Sequence, residues 1–313
     1  AALPPTPMVE QAYAQDTPAA DAMPSVPSSN SDLPIGEDVD LPSAGQQEGP
    51  STDLASVSGQ FITVQTDTLE IMIDLIGGDV VGAALRQYPK TIDDPSDPFV
   101  LLERNAQRTY VAQSGLVGRD GIDTGERALY RAEKSFYQLT DQKPLQVALT
   151  YGDDTSGISV TKSFYFEPNS HTITVSYDIY NSGNATIQIT PFAQLKRDSS
   201  PAPVATDAGM GMQPFLGSAT TQPDQRFNKF DFDDMADNPF KADLVGGWIA
   251  MLQHYFVSAW VPAPDQTYRF RTRQTQSGFN IIGYTGPSLS VAAGDTARVM
   301  NQLYVGPKNQ KRL

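Results

Sequence analysis

Short segments of alternating polar and apolar residues, separated by turn sequences, fill the chain from Phe61 onward. In one of them, HTITVSYDIY, the apolar residues share one face, namely Ile173, Val175, Tyr177 and Ile179. Alternation with period two is the mark of a strand that buries one face and leaves the other in water. No segment keeps the apolar spacing of a helix over three turns. The sequence therefore predicts a mainly β protein built from antiparallel strands.

About fifteen such segments occur between residue 61 and residue 305, with turn signals such as GGD, DDTSG, NSGN and TGP between them. This number exceeds a simple immunoglobulin sandwich and favours one large two-sheet antiparallel β-sandwich. Residues 196 to 245 are rich in Pro, Asp and Gly and show little alternation. We expect an irregular excursion there, long enough to suggest a functional role.

Charge divides the chain into two parts. Residues 1–58 contain nine Asp or Glu, no Lys or Arg, and nine of the 24 prolines, which predicts a disordered, extended linker. Removing those nine charges from the net charge of −14 leaves −5 for the part that follows. A chain this acidic is not expected to bind nucleic acid or anionic lipid through bulk charge, because phosphate repels it.

Several classes of protein are excluded by what the sequence lacks. There is no cysteine, hence no disulfide and no thiolate site. No apolar run reaches 18 residues, so no transmembrane helix is predicted. The N-terminus AALPPTPMVE has neither the basic start nor the apolar segment of a signal peptide. For an exported or anchored protein, we expect that the targeting element has been removed from this sequence.

The candidate catalytic and metal-binding residues do not form a known signature. His254 has no carboxylate within ten residues on either side, and His171 follows a turn at the start of a strand. The acidic segment FDFDDMADNPF fails the calcium-loop pattern, since Met235 and Ala236 stand where a ligand and a glycine are needed. The glycines of QSGLVGRDG lack the lysine of a phosphate loop. No catalytic residue, metal site or cofactor is predicted.

Residues 246–262, GGWIAMLQHYFVSAWVP, contain both tryptophans of the chain. Apolar residues occupy both parities, which is typical of a central strand or of two strands that meet near Gln253–His254. Buried core is the main interpretation, because aromatic side chains bury large areas. A groove in which a sugar stacks on an aromatic ring is the alternative, with candidate residues Trp248, Tyr255 and Trp260.

Six motifs in a fixed order closely resemble the large periplasmic domain of YidC, the membrane protein insertase family of the Gram-negative inner membrane. These motifs are QTDTLEIMIDLIGGDV, YVAQSGLVGRDG, PFAQLKR, FNKFDFDDMADN, GGWIAMLQHYFVSAWVP and LYVGP. The resemblance covers residues 59–307. Its fingerprint residues, expected to be structural, are Gly77, Gly78, Asp79, Gln113, Ser114, Gly115, Gly247 and Trp248.

The resemblance implies a galactose-mutarotase-like super-sandwich, followed at residues 308–313 by the start of a connecting helix. It implies a soluble fragment of an inner-membrane protein, located in the periplasm and without its transmembrane helices. It also implies a non-enzymatic accessory role. The expected partners are SecD and SecF of the Sec translocon, and nascent membrane proteins that the missing transmembrane part would handle.

An unpaired sheet edge invites strand addition by a partner, and the irregular segment 196–245 offers adaptable contacts. We expect charge substitutions in the strand pair 171–195 and in the segment after it to weaken partner binding without unfolding the domain. The candidate docking residues are His171, Asn181, Lys196, Arg197, Asp231 and Asp233. The alternative function is a carbohydrate-binding or sugar-mutarotase-like β-sandwich. A generic exported adhesion module is a third hypothesis.

Overall fold

The structure is a computed structural model that describes residues 60–91, 93–153, 156–201, 215–221, 227–253 and 255–308. The described part consists of β-strands with one short α-helix, which confirms the mainly β prediction. The predicted linker over residues 1–58 lies outside the described residues, as do His254 and all but the first residue of the predicted helix at 308–313. In the described part, no helix has the length and apolarity needed to cross a membrane.

Twenty strands and one helix succeed one another along the described residues. They are β1 (Phe61–Gln65), β2 (Leu69–Asp74), β3 (Asp79–Pro89), β4 (Pro98–Arg104), β5 (Thr109–Val117), β6 (Arg131–Ala132), β7 (Phe136–Gln138), β8 (Leu145–Asp153), β9 (Ile158–Phe166), β10 (Thr172–Asn181), β11 (Ile187–Arg197), β12 (Gly217–Thr220), β13 (Asn228–Phe230), α1 (Phe232–Asp237), β14 (Lys241–Val245), β15 (Ile249–Leu252), β16 (Phe256–Val261), β17 (Thr267–Gln274), β18 (Asn280–Thr285), β19 (Leu289–Val291) and β20 (Thr296–Pro307). The sequence predicted about fifteen strands. The shortfall arises because strands of two to four residues, such as β6 and β12, are too short to show a period.

The strands form two sheets, as predicted. One sheet has eleven strands in the order β14-β17-β18-β11-β5-β4-β3-β2-β1-β7, with β19 paired to β11. The other has nine, in the order β13-β12-β15-β16-β20-β10-β9-β8-β6. Among the described pairs only β1 and β7 run parallel. The main hydrophobic core takes side chains from both sheets, which makes the fold a large β-sandwich.

Strand β10 shows how alternation produces this core. Its four inward residues are fully buried, as the sequence predicted: Ile173, Val175, Tyr177 and Ile179. The strand pair 171–195, named as a candidate region for partner binding, does not lie at a sheet edge. Strand β10 has neighbours on both sides, β9 and β20, and β11 lies between β5 and β18. The edges are β14 and β7 in one sheet, and β13 and β6 in the other.

The aromatic stretch 246–262 forms two strands, the second of the two arrangements considered. Strands β15 and β16 pair as a hairpin with Ile249 opposite Trp260. Ile249 and Met251 point into the main core, whereas Ala250 and Leu252 belong to a smaller apolar cluster. Because successive residues of a strand point to opposite faces, this smaller cluster lies on the outer face of the nine-stranded sheet.

Residues 196–245 are less irregular than predicted. Within its described part this range carries the end of β11 and all of β12, β13, α1 and β14. Helix α1 occupies the acidic segment, where Asp231 caps it by accepting a hydrogen bond from the Asp234 amide at 2.7 Å. Asp233 and Asp234 in the first turn interact favourably with the positive end of the helix dipole. The side chain of Met235 is buried.

Trp260 joins the two sheets, since its indole Nε1 on β16 donates to the Gln194 carbonyl on β11 at 3.1 Å. We predict that Trp260→Phe lowers the free energy of unfolding by about 1–3 kcal/mol, because it removes this donor and leaves unfilled volume. Urea denaturation provides the measurement. Tyr255→Phe is the control, at a side chain 63% exposed, and is expected to stay within about 0.5 kcal/mol. Equal losses of unfolding free energy in both variants would contradict the conclusion that Trp260 joins the two sheets.

Candidate functional site

Six of the eight fingerprint residues, those at 77–79 and 113–115, belong to or border one group of charges between the sheets. This group is here called the inter-sheet cluster: Asp79, Asp123, Arg127 and Lys162. Asp79, Asp123 and Lys162 are buried, and the Arg127 side chain is 15% exposed. Arg127 forms ion pairs with Asp79 and, at 3.0 Å, with Asp123. Burial of these charges is offset by their partners, since Asp79 and Asp123 pair with Arg127 and Lys162 is hydrogen-bonded to backbone carbonyls.

Two glycine motifs build the walls of the inter-sheet cluster. Gly77 and Gly78 adopt φ values of 77° and 60°, which form the turn that brings Asp79 to the start of β3. On β5, a Cβ at Gly115 would lie 2.3 Å from the Asp123 carboxylate. Asp123 in turn accepts the Leu116 amide at 2.8 Å. The two motifs thus make room for the paired charges.

Lys162 connects the sheets. It lies on β9 of the nine-stranded sheet, and its Nζ donates at 3.0 Å to two carbonyls of the other sheet side, those of Gly77 and Ser114. The Ser114 hydroxyl also accepts a hydrogen bond from Tyr177 on β10 at 2.8 Å. Gln113 extends the network by donating to Asp79 at 2.9 Å. Fingerprint residues of one sheet are therefore held against strands of the other.

Burial dominates the electrostatics of the cluster. Desolvation lowers the pKa of Lys162 to about 7, although the nearby Asp79 carboxylate opposes the shift. Burial likewise raises the pKa of Asp123, with Arg127 acting against it. For Arg127, burial disfavours the charged form, but Asp79 and Asp123 outweigh it and raise its pKa. Lys162 itself is fully buried, and its hydrogen bonds go to backbone carbonyls on the facing sheet side.

A second buried polar group surrounds Arg197, at the end of β11. Oriented with its oxygen toward the guanidiniums, the Gln253 amide accepts from Arg197 at 3.1 Å and from Arg108 at 3.0 Å. Arg108 also pairs with Glu103 at 2.5 Å. Burial, with a contribution from Arg108, lowers the pKa of Arg197 to about 10, although Tyr110 opposes the shift. This group, like the first, fills space between strands.

Three of the six candidate docking residues are buried, which corrects their assignment to a docking surface. Asn181 is fully buried and holds the following turn, donating to the Ala185 and Val291 carbonyls at 2.8 and 2.9 Å. Arg197 is fully buried as described above. His171 is 5% exposed, with its ring near those of Tyr88 and Tyr304.

The other three candidate docking residues lie at or near the surface. Asp231 and Asp233 are exposed at the start of α1. Lys196 is half-buried, with its ammonium 4.0 Å from the centre of the Phe279 ring. Their role in docking stays a prediction.

Trp260 does not share a surface with the other two candidate stacking residues. Trp260 is 1% exposed and packs in the main core, so burial removes it from any ligand surface and corrects that candidate. Trp248 is half-buried after Gly247, whose φ is 94°, and lies against Phe227 with ring centroids 5.8 Å apart. Tyr255 is exposed at the β15–β16 turn. Within the described ranges, no group of three or more acidic or histidine side chains could hold a metal.

The central residues of the inter-sheet cluster, Asp123, Arg127 and Lys162, were absent from the sequence-based candidates. One signal was present: in ISVTKSFYF, Lys162 shares its parity with Val160 and Phe164. A lysine on the inward face of a strand must find buried partners. The identity of those partners was not predictable, since they are carbonyls of the turn before β3 and of β5.

We predict that Lys162 makes stability rise with pH above about 7. Its pKa is about 7 in the folded state and about 10.4 in an unfolded chain, so the unfolded state binds more protons between these values. The contribution is constant below pH 7. Relative to Lys162→Met, the wild-type free energy of unfolding should gain up to about 1.4 kcal/mol per pH unit within this window. Urea denaturation of both proteins between about pH 6 and about pH 10 measures this difference. A pH-independent difference would contradict the prediction.

Gly115→Ala tests the tight contact beside Asp123. The added methyl would lie 2.3 Å from the carboxylate, so we expect a loss of about 2 kcal/mol or more in the free energy of unfolding. Gly152→Ala on β8 is the matched control, because its Cβ would meet nothing nearer than 4.0 Å. A thermal melt of both variants provides the comparison. Similar melting temperatures would show that the cluster has room to adjust.

The chain matches known proteins over most of its length. The family model described as the YidC periplasmic domain matches residues 61–313. A membrane protein insertase YidC of Marinomonas sp. is 42% identical over 283 residues, which cover 88% of this chain and 51% of that protein. The relative of the same name from Pseudomonas aeruginosa is 40% identical, covering 93% of this chain and 53% of that protein. The chain thus spans about half the length of these relatives.

Solved structures with a related arrangement include sugar-processing enzymes. A galactose mutarotase related enzyme from Lactobacillus acidophilus gives a TM-score of 0.47 at 10% identity, covering 78% of this chain and 97% of that one. The α-galactosidase AgaB from Geobacillus stearothermophilus gives 0.49 at 8% identity, covering 79% of this chain and 40% of that one. At these values neither structure informs the function of this chain. The family match and the relatives at 40% identity do: the chain belongs to the family of YidC periplasmic domains.

Proposed function

We propose that this chain is a non-enzymatic accessory domain of a membrane protein insertase, which docks SecD and SecF of the Sec translocon and so aids the insertion and folding of inner-membrane proteins. The observation that carries the proposal is the family match over residues 61–313, together with relatives named membrane protein insertase. Handling of nascent membrane proteins then belongs to the remaining half of the protein, for which this domain provides a docking platform in the periplasm.

The organisation of the charges supports a docking role over catalysis. The two buried groups, around Lys162 and Arg197, use their hydrogen bonds and ion pairs to hold strands together. Catalytic groups need access to a reacting atom, and both Lys162 and Arg197 are fully buried. The residues available for contact with another protein therefore lie on the sheet edges, on the outer faces and on α1.

The end of the sandwich near α1 is the proposed docking surface. Helix α1 contacts β13, an edge of the nine-stranded sheet, and β17, the neighbour of edge strand β14. It presents Asp231 and Asp233 to solvent, and Lys196 lies half-buried on β11. Edge strands and a charged helix together offer backbone groups for pairing and charges that orient a partner.

Co-purification of the whole insertase with SecD and SecF tests this proposal. We expect Asp233→Lys to reduce recovery of SecD and SecF by about fivefold or more, since a reversed charge opposes association. Asp233 is preferred to the capping residue Asp231, whose loss would also weaken α1. Deletion of residues 59–307 should abolish recovery.

Glu133→Lys is the matched control, because it makes the same charge change at an exposed position between β6 and β7. Those two strands are edges at the opposite end of both sheets from α1. Unchanged recovery after the deletion would overturn the docking role. Equal reduction by Asp233→Lys and Glu133→Lys would overturn the choice of surface. Thermal melting of both variants confirms that neither unfolds the domain.

A further inference from the structure

The outer face of the nine-stranded sheet carries an apolar cluster separate from the main core. Its buried members come from four neighbouring strands, β12, β15, β16 and β20, and are Ala219, Ala250, Leu252, Val257, Ala259 and Tyr304. On β15, β16 and β20 these side chains point away from the other sheet, because they alternate with residues of the main core. Phe215 and Trp248 pack on this cluster from outside.

Aromatic rings and lysines lie side by side on this surface. Phe227 is 45% exposed and its ring contacts that of Trp248 at a centroid distance of 5.8 Å. The ammonium of Lys229 lies 5.0 Å from the centre of the Phe215 ring and 5.2 Å from that of Phe227. Lys229 stands opposite Ala219 in the sheet, which places it on the same outer face. Among the described residues, no carboxylate forms an ion pair with Lys229.

A second lysine reaches the same surface where β20 ends. The Lys308 amide donates to the Tyr255 carbonyl at 2.8 Å, and both side chains are exposed. Burial, and then the charge of Lys229, lower the pKa of Lys308. In the sequence Lys311 and Arg312 follow. We call this surface the aromatic–lysine face: Phe215, Phe227, Lys229, Trp248, Tyr255 and Lys308.

We propose that the aromatic–lysine face binds the surface of a lipid bilayer that contains anionic phospholipids. Aromatic side chains with one apolar and one polar side settle at the level of lipid headgroups, and adjacent lysines attract the headgroup phosphates. Contiguous exposed apolar surface next to cations is the combination that such binding needs. The inference goes beyond the docking of protein partners and does not depend on it.

Two observations favour a lipid surface over an acidic polypeptide. The aromatic rings and lysines lie on β13, in the segments before β12, β13 and β15, in the β15–β16 turn and just after β20. They are spread over several strands, as contact with a planar surface requires, rather than along one strand edge. The nearest edge, β13, is only three residues long, which leaves little backbone for strand addition. The net charge of the chain restricts where an anionic bilayer can bind. At a net charge of −14 the protein as a whole is repelled by an anionic bilayer, so binding must come from a local surface.

Sedimentation of the chain with vesicles tests the proposal. One set contains phosphatidylglycerol in phosphatidylcholine and the other contains phosphatidylcholine alone. We expect binding to the anionic set, weakened by added salt, with a blue shift of the emission of half-exposed Trp248. Neutralising one lysine should weaken partition about fivefold, so Lys229→Gln with Lys308→Gln should weaken it by more than about tenfold.

The control pair is Lys134→Gln with Lys143→Gln, which removes the same charge at exposed positions near β7 and β8. It should leave partition unchanged. Equal weakening by both pairs, or equal binding to the two sets of vesicles, would overturn the proposal. So would failure to bind vesicles while a peptide of residues 1–58, which carries nine acidic residues and no basic ones, binds in a manner that depends on Lys229 and Lys308. Circular dichroism of each variant establishes that it is folded.

Discussion

The contact on which the sandwich depends is the one that Lys162 makes across the sheets, to the Gly77 and Ser114 carbonyls. Burying an ammonium group costs free energy, and the buried ion pairs beside it add little net stability compared with apolar packing. Their arrangement is specific, however, since removal of any one partner leaves the others buried and unsatisfied. The glycines of the two fingerprint motifs are needed because the turn at Gly77 and the contact at Gly115 admit no side chain.

The two buried polar groups make their contacts between strands, so the groups that another molecule can reach lie on the surface. The polar groups that would attract attention in an enzyme, such as Lys162 and Arg197, are fully buried and occupied with other strands. What remains accessible differs in charge from place to place. The α1 end presents the acidic residues Asp231 and Asp233, whereas the outer face of the nine-stranded sheet presents Lys229 among aromatic rings. The two proposed surfaces therefore differ in the sign of their charge.

Local alternation explains which predictions succeeded. The inward face of β10 was readable because its apolar residues repeat every second position, and the hairpin in residues 246–262 was one of two arrangements that the apolar pattern allowed. The burial of the candidate docking residues could not be predicted from local alternation. Asn181 and Arg197 look like surface residues in the sequence, but their partners, Val291 and Gln253, are far away along the chain. A polar residue is placed by the partners that satisfy it, and those are set by strand order.

The sequence by itself determined the β class, the two-sheet sandwich and the family, because period-two alternation and ordered motifs are local properties of the chain. Only the tertiary structure decided which strands are edges and which charges are buried. It also decided that Trp260 lies in the core while Trp248 lies outside, although twelve positions separate them on one hairpin. The physical reason is that a strand's two faces are equivalent until other strands cover one of them.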